Sequence, residues 1–549
     1  MDVKKVFTKG RLTDILILLT FSFYAIILLY PLPLDPTGLL GYTGLNLASQ
    51  QSDAPRVIFM VDWYRENLQN GGDLLHNTKN YFPAGVHPGQ DVFHPSHSLI
   101  AGLMSLFVPV VVAHNMLVFL ALFTAGLNAY VLSKFLIKDK LSCLLCGFIY
   151  MSFPFTLYQA IIGHPNIMQM QWVPMVLLFT HRLLFKLRWC DLVLLAVFLN
   201  IQLLSSTQIT VYLGLIIPLY VISLCINKVV RENLFSRKFY LMFAACIILF
   251  LTLSSPYIVG FLRTPTIFTR PLDINQLDVF VINELRELVD PSSYIALGFI
   301  PIILFLISLL SDVKNKSLKL MGPFYIMALS AFVLSLKPVF GFSSYAILYY
   351  FYPPIMLYRE PQRIFVFALL STAVASGHIF RRITFPLQTS KRIIILVALV
   401  FAVLITMVWQ SPILVDHKVV HLENRPEIEL FRFIGNLTED FSVAEYPNNF
   451  CRICAYHTIF HNHSLIGGGS SFIPLEYTGF LEKCGGQSIL NTSSTDCQEN
   501  IRSYNLRYVV YDKDRFEDWQ SMEPQINNLP HMEKIMEAGD SILYEISIS

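Results

Sequence analysis

The sequence contains little charge for its length. Only 14% of the 549 residues are Asp, Glu, Lys or Arg, whereas 54% are hydrophobic and 43 are Phe. The mean hydropathy is correspondingly high, at +0.54. So few charged side chains cannot cover the surface of a soluble protein of this size, which excludes the ordinary soluble class and indicates a chain that lies mostly in lipid. We expect no nucleic-acid partner.

Several motifs are also missing. The glycine-rich stretch 467–471 lacks a following Lys-Ser/Thr or dinucleotide spacing, which excludes a phosphate loop and predicts a flexible turn. No small-residue cleavage pattern follows the first apolar run, so we interpret that run as a spanning helix rather than a signal peptide. The predicted spans are nearly free of ionisable residues and show no internal repeat, and both absences disfavour a transporter.

Apolar runs long enough to cross roughly 30 Å of hydrocarbon recur from Leu12 to about Val408 and then stop. They predict a polytopic α-helical membrane protein with about 11 spanning helices. The membrane domain occupies residues 1–410 and contains a long first outer loop at 33–113. The remaining residues, 411–549, form a second domain.

Basic residues set the predicted orientation. Cytoplasmic loops carry an excess of Lys and Arg, and a basic cluster precedes the first span, so we expect a cytoplasmic N-terminus and an outer first loop. Later basic clusters alternate with turns that lack them. The alternation holds if residues 99–112 form a short element in the interface, and the domain at 411–549 is then extracytoplasmic. Two crossings within 96–136 are the alternative and would place that domain in the cytoplasm. We expect the plasma membrane rather than the endoplasmic reticulum.

The C-terminal region combines strand-like and helix-like segments. Short β-like runs occupy residues 441–447, 506–511 and 541–546, and helix-like stretches occupy 426–436 and 516–527. This pattern predicts an α/β or α+β domain.

Four of the nine cysteines lie in this region: Cys451, Cys454, Cys484 and Cys497. An even set in an outer domain favours disulfides. A zinc site remains the alternative, because three histidines, at 457, 461 and 463, lie nearby.

The polar residues that could assemble at the outer membrane surface come from four separate parts of the chain. They are Asp53 and Asp62 in the first loop, His94 before the interfacial element, His164 and Asn166 in a turn after the third span, and Arg359, Glu360 and Arg363 before the tenth span. Our topology places all of them on one side, which is the reason to consider them together.

Each of these residues also has a structural interpretation. Asp53 precedes Pro55 and could cap a helix predicted at 56–69. His164 could satisfy its own turn, and Arg359 and Arg363 could anchor the interface by extending toward lipid headgroups. Sequence alone leaves both interpretations open.

These features together resemble the GT-C superfamily of polyprenyl-phosphate-dependent glycosyltransferases. The matching features are the long outer loop with an early Asp, the aromatic-rich helix after it, the Phe-Pro-Ala-Gly stretch at 82–85, the His-Pro step at 94–95 and the Gly-His turn at 163–164. Residues 359–363, Arg-Glu-Pro-Gln-Arg, are similar to an Arg-x-Pro-x-Arg-like motif of a multispan branch. The resemblance covers most of the chain, including the outer C-terminal domain.

The resemblance implies that an acidic residue of the first outer loop is the catalytic base. Asp53 matches best and Asp62 is second, while Asp35 lies nearer the first span, where common members carry their acids. His164 and Asn166 stand where an acidic partner is often found, so no cofactor is assigned and a divalent cation stays open.

The resemblance also implies the substrates. A polyprenyl-phosphate sugar would enter from the membrane lipid, with its phosphate on Arg359 and Arg363 and with His94, His164, Asn166 and Glu360 around the substrates. We therefore predict a glycosyltransferase, a hexosyl- or pentosyltransferase, that acts on an unknown glycan, lipid or protein acceptor at the outer face. The alternative is a non-catalytic transporter, flippase or scaffold that presents the C-terminal domain.

Overall fold

The computed structural model describes residues 3–42, 52–92, 94–263, 265–268, 282, 285–288, 290, 293, 296–336, 344–358, 360–409, 417–447, 451–470, 472–486 and 489–547. Helices dominate up to residue 409, and strands alternate with helices after residue 416. The chain is a mostly helical integral membrane protein.

The helices before residue 409 are α1 Val3–Leu28, α2 Ala54–Asn70, α3 Pro88–Val92, α4 Pro95–Met104, α5 Val110–Ile137, α6 Lys140–Met151, α7 Pro154–Ile161, α8 Pro165–Met168, α9 Val173–Lys186, α10 Trp189–Ser205, α11 Thr207–Leu224, α12 Lys228–Leu234, α13 Arg237–Arg263, α14 Phe299–Lys314, α15 Leu318–Ser335, α16 Ser344–Phe351, α17 Val366–Thr384 and α18 Thr389–Leu404. The later helices are α19 Ile428–Gly435, α20 Arg452–His461, α21 Leu475–Lys483, α22 Thr495–Ser503 and α23 Trp519–Asn527. The strands are β1 Leu39–Tyr42, β2 Thr266–Phe268, β3 His417–Val420, β4 Ser442–Tyr446, β5 Ser464–Ile466, β6 Phe472–Pro474, β7 Leu506–Asp512, β8 Met532–Ala538 and β9 Ser541–Ile546.

Six helical stretches of the described residues are long and apolar enough to cross a membrane. They are Val110–Ile137, Thr207–Leu224, Arg237–Arg263, Leu318–Ser335, Pro361–Thr384 and Thr389–Met407. The pair α6 and α7, bent by 41°, makes a seventh if it is one span. The larger count of eleven stays a prediction.

The element predicted at 99–112 is placed differently by the structure. Its helix is α4, which begins at Pro95 and ends at Met104, whereas Val110 to Val112 already belong to the long helix α5. Ten residues of α-helix extend about 15 Å, which is half of what a span needs. The short helix is therefore confirmed, but its bounds are shifted toward the N-terminus.

Helix α2 begins and ends at local sequence signals and packs against helices from both parts of the chain. Pro55 occupies its first turn, where a missing N–H breaks no hydrogen bond, and Gly71 ends it in the left-handed conformation at φ 69°. Its first three turns are buried. It packs against α4 on one side and against α20 on the other, where Phe59 and Trp63 contact Ala455.

The C-terminal region contains a five-stranded sheet in the order β5-β4-β7-β9-β8. Strands β5, β4 and β7 are parallel, and β9 and β8 join them in antiparallel pairs. Every residue of β4 is buried, as expected of a strand covered on both faces. The strands and helices predicted from sequence here are confirmed by β4, β7, β9, α19 and α23.

Two small sheets connect this region to the helical part. Strand β1 pairs with β3, and β2 pairs with β6. The glycine-rich stretch adds a third connection, because Gly469 O accepts a hydrogen bond from Arg56 and Ser470 Oγ donates to Gln90 O at 2.7 Å. A Cβ at Gly468 would lie 2.6 Å from the ring of Tyr81. Interpreting the described part of this stretch as a free flexible turn was therefore wrong, because it packs against the first loop.

The four C-terminal cysteines form two disulfides. Cys451 pairs with Cys454, and Cys484 pairs with Cys497. This arrangement agrees with the disulfide alternative and removes the four-cysteine zinc site.

Candidate functional site

Asp53 and His164 meet at the N-terminus of α2. His164 Nε2 lies 3.4 Å from Asp53 Oδ2, and the two side chains are 14% and 16% exposed. The other ring nitrogen, Nδ1, donates to Gln159 Oε1 at 3.1 Å. That bond uses the Nδ1 proton, so Nε2 is the ring nitrogen that faces the Asp53 carboxylate.

A close backbone approach makes this pairing possible. Gly163 has φ 73°, and a Cβ there would lie 2.5 Å from Ala54 Cβ and 2.8 Å from Ser52 Oγ. Only glycine lets the α7–α8 turn come this close to the start of α2, and His164 follows directly.

Asp53 lies at the start of α2, next to a buried arginine. It occupies the N-cap position of α2, but its side chain makes no capping hydrogen bond. Asp53 Oδ1 instead lies 3.5 Å from Arg56 Nη2, and the Arg56 side chain is 5% exposed. Asp53 therefore has the predicted N-cap position without the side-chain capping bond, and a buried guanidinium lies beside its carboxylate.

His94 belongs to a cluster of three histidines with His97 and His114. Its ring is 5.5 Å from that of His97. Gln169 Nε2 donates to His97 Nδ1 at 2.9 Å, and His97 Nε2 then donates to His114 Nδ1 at 3.0 Å. Burial and the neighbouring histidines hold the pKa of His97 well below its usual range, so the ring is neutral. His114 lines a small cavity together with Ala54 and Gly163, which places the cluster next to the Asp53 site.

A second polar group forms around Arg363. Its guanidinium pairs with Glu360 and donates to Gln208 Oε1 at 2.7 Å. Arg363 is only 15% exposed on its side chain, so it is not an interfacial anchor that extends into the headgroups. Arg359, predicted beside it, lies outside the described residues. Asn166 lies in α8, two residues after His164.

The backbone around Arg363 is held by tyrosines. Tyr212 donates to Glu360 O at 3.0 Å, and Tyr345 donates to Tyr358 O at 2.7 Å. Tyr212 also accepts a hydrogen bond from Gln208 Nε2 at 3.0 Å. Helix α8, which begins one residue after His164, packs against α11, which carries Gln208 and Tyr212. The α8–α11 packing thus connects the two polar groups.

An apolar cavity of about 410 Å³ lies between α14, α15 and α17. Phe305, Phe332 and Phe365 are among its lining residues. Phe365 is two residues from Arg363 along the chain.

Asp35, the alternative base, lies in a different environment. It is 44% exposed on its side chain, and its Oδ2 accepts a hydrogen bond from His421 Nε2 at 2.8 Å. Hydrogen bonds from Thr37 and His421 lower the pKa of its carboxyl. Its greater exposure, and a contact that connects the segments next to β1 and β3, distinguish it from the largely buried Asp53.

Solved structures with the same architecture decide the fold. AftD from Mycobacteria, an arabinofuranosyltransferase, superposes with a TM-score of 0.60 at 13% identity over 97% of this chain and 40% of its own. ArnT from Cupriavidus metallidurans gives 0.56 at 10% identity over 98% of both chains, and the oligosaccharyltransferase AglB from Archaeoglobus fulgidus gives 0.52 at 12% identity over 92% of this chain and 70% of its own. The chain has the GT-C fold. No protein-family model and no curated protein sequence matches it.

Within the GT-C fold, the structure separates Asp62 from Asp53. The two residues are nine positions apart along α2, which corresponds to roughly 14 Å at 1.5 Å per residue. Asp62 Oδ1 pairs with Arg65 at 2.6 Å, and its side chain is 6% exposed. Burial raises the pKa of Asp62 to about 6, with Arg65 opposing the shift.

The raised pKa means that the folded protein holds a proton on Asp62 at pH values where the unfolded chain has already lost it. As the pH rises through about 6 the buried carboxyl ionises, and the free energy of unfolding falls. We expect Asp62→Asn to raise the free energy of unfolding at pH 7.5 by roughly 2 kcal/mol and to leave it unchanged near pH 4. Denaturant unfolding of the purified protein at both pH values measures this. A gain of equal size at both would contradict the prediction.

Sequence reasoning missed three members of the site: Arg56, Gln159 and Gln208. Arg56 had a local signal, because a residue three positions after Asp53 lies on the same helix face. Gln159 and Gln208 had none, because each reaches its partner through packing of separate helices. Among the described residues, a set of three potential metal ligands within 4.8 Å of one another occurs in the C-terminal region, at Glu445, Cys451 and Cys454.

Proposed function

We propose that this protein is a membrane glycosyltransferase that transfers a sugar from a polyprenyl-phosphate donor to an acceptor hydroxyl at the outer membrane surface. The observation that carries the proposal is the Asp53–His164 contact at the start of α2, in a chain with the GT-C fold. In this arrangement Gln159 and the turn at Gly163 hold His164 against the Asp53 carboxylate. A non-catalytic transporter, flippase or scaffold has no need for it.

Asp53 acts as the general base. It accepts the proton of the acceptor hydroxyl while that oxygen attacks the anomeric carbon and the lipid phosphate leaves. Gln159 fixes the His164 ring, so His164 orients the carboxylate, and the buried Arg56 guanidinium lies on its other oxygen. A positioned and charged carboxylate is what the proton transfer requires.

Arg363 binds the donor phosphate. A guanidinium offers two parallel N–H donors to phosphate oxygens, and Gln208 and Glu360 hold this one in place. The polyprenyl tail lies in the apolar cavity that begins near Phe365. His94 and Asn166 contribute to the surface around the sugar and the acceptor.

Two structural neighbours support a lipid-phosphate ligand. The AglB structure contains dolichol-phosphate, and one ArnT structure contains undecaprenyl phosphate. This ArnT structure superposes with a TM-score of 0.54 at 11% identity. The likeness supports the class of donor, while the sugar and the acceptor stay open.

Removing the guanidinium tests the donor site. We expect Arg363→Gln to weaken binding of undecaprenyl phosphate by about tenfold or more, because the variant loses two charge-assisted hydrogen bonds and leaves the Glu360 carboxylate facing the phosphate. Native mass spectrometry of the detergent-solubilised protein measures the bound fraction.

Arg507→Gln is the matched control, because Arg507 pairs with Glu439 and Glu545 on the C-terminal sheet. It should bind the lipid phosphate as the wild type does. Equal binding by the wild type and Arg363→Gln would exclude this donor site. Binding without any sugar transfer from polyprenyl-phosphate sugars would favour the carrier or flippase instead.

A further inference from the structure

The carboxyl ends of the parallel strands β4 and β7 meet at one edge of the C-terminal sheet, the edge where open α/β sheets usually place their chemistry. Glu445 lies near the end of β4, and the Cys451–Cys454 disulfide begins helix α20. Arg515 follows β7 by three residues. Sugar transfer, as proposed above, uses none of these groups.

Arg515 contacts both sulfurs of the disulfide. Its Nη1 lies 2.8 Å from Cys451 Sγ and 3.3 Å from Cys454 Sγ, and its other terminal nitrogen donates to Pro447 O. Cys451 is also the N-cap of α20, and its Sγ accepts the backbone N–H of Cys454 at 3.1 Å. A guanidinium and a helix N-terminus both stabilise a thiolate, and here both act on Cys451.

The position of Arg515 against the two sulfurs disfavours a metal ion at this site. Glu445, Cys451 and Cys454 could supply three ligand atoms once the disulfide is reduced. Glu445, however, is already paired with His457 Nδ1 at 2.8 Å in a buried contact, and the positive charge of Arg515 stands against the sulfurs. Coulomb repulsion between that guanidinium and a divalent cation opposes binding.

We propose that Cys451 and Cys454 form a redox-active pair that exchanges electrons with dithiols, with Cys451 as the stabilised thiolate. A thiolate of the incoming dithiol attacks Cys454 Sγ, a new S–S bond forms, the Cys451–Cys454 bond breaks, and Cys451 leaves as thiolate beside Arg515. The second thiol of the dithiol then attacks the mixed disulfide and gives its proton to Cys454. The pair gains two electrons, and the dithiol is released as its own disulfide.

The second disulfide of the same region is an internal control. Cys484 and Cys497 are fully buried, and Cys451 and Cys454 are 1% exposed, so the two pairs are equally covered. What distinguishes the first pair is the Arg515 guanidinium, which contacts both of its sulfurs.

The test is a redox titration of the full chain in detergent. The protein is equilibrated with defined ratios of reduced and oxidised dithiothreitol, alkylated, digested and analysed by peptide mass spectrometry. We expect the equilibrium constant for reduction of Cys451–Cys454 to exceed that of Cys484–Cys497 at least tenfold, which corresponds to about 30 mV. Arg515→Met should lower the constant for the first pair about tenfold and leave the second pair unchanged.

Arg515→Lys keeps the charge and covers the case in which Arg515→Met does not fold, and it should retain most of the difference. Arg507→Met, near the start of β7 and paired with Glu439 and Glu545, should change neither pair. Co-titration of the two disulfides in the wild type would overturn the proposal. Stoichiometric binding of Zn²⁺ by the reduced wild type, lost in Cys451→Ser, would overturn it in favour of a metal site.

Discussion

We expect Asp53→Asn to reduce sugar transfer by roughly 10³-fold, the size of effect seen when a positioned general base is lost. The amide has nearly the shape of the carboxylate and can still accept a hydrogen bond, so His164 and Arg56 keep their neighbour. What disappears is the group that takes the acceptor's proton. Transfer from a radiolabelled polyprenyl-phosphate sugar by reconstituted protein measures the loss.

Asp35→Asn is the matched control. Asp35 belongs to the same loop after the first helix, but its side chain is exposed and bound to His421. We expect this variant to transfer sugar within about twofold of the wild type, since it loses a mostly solvated contact. Unchanged transfer by Asp53→Asn, or an equal loss in both variants, would refute Asp53 as the base.

The largest expected effect on stability comes from Asp312→Ala. Asp312 is fully buried near the end of α14 and accepts hydrogen bonds from Tyr325 at 2.9 Å and Ser317 at 2.8 Å. Arg382 Nη1 lies 2.6 Å away, and His378 Nε2 lies at 3.4 Å. Truncation leaves the Arg382 guanidinium without its counter-charge, at a cost of about 3 kcal/mol.

Denaturant unfolding in detergent checks this result. Asp312→Asn, which keeps most of the hydrogen bonds, should cost less than Asp312→Ala. Glu232→Ala removes an exposed pair with Lys228 on α12 and should change the free energy of unfolding by less than about 0.5 kcal/mol. If Asp312→Ala is no more destabilising than Glu232→Ala, the cluster does not hold α14, α15 and α17 together.

Buried ion pairs of this kind recur at helix ends. Arg392 pairs with Asp139, the N-cap of α6, at 2.5 Å, and Arg182 pairs with Asp191, in the first turn of α10, at 2.8 Å. Their place at the ends agrees with the prediction that the interiors of the spans are nearly free of ionisable residues. The pairings themselves were not predicted, and the partner of Asp139 comes from a helix about 250 residues away in the sequence.

Short-range patterns were sufficient for several features. The helix predicted at 56–69, which the structure shows as α2 Ala54–Asn70, the shortness of α4 and the strands of the C-terminal sheet all follow from residues within a few positions of each element. Hydrophobic composition likewise determined the membrane class. Propensity, capping and apolar periodicity act within one element, and so a single sequence reveals them.

Tertiary structure alone decided which polar groups meet. Asp53 looked equally suited to a helix cap until the turn at Gly163 brought His164 to it, and Arg363 looked like an interfacial anchor until Gln208 was found beside it. The same holds for the contacts of Arg515 with the Cys451–Cys454 pair. Such contacts depend on how distant helices and strands pack, and the energy of that packing is distributed over many residues, so no local pattern records it.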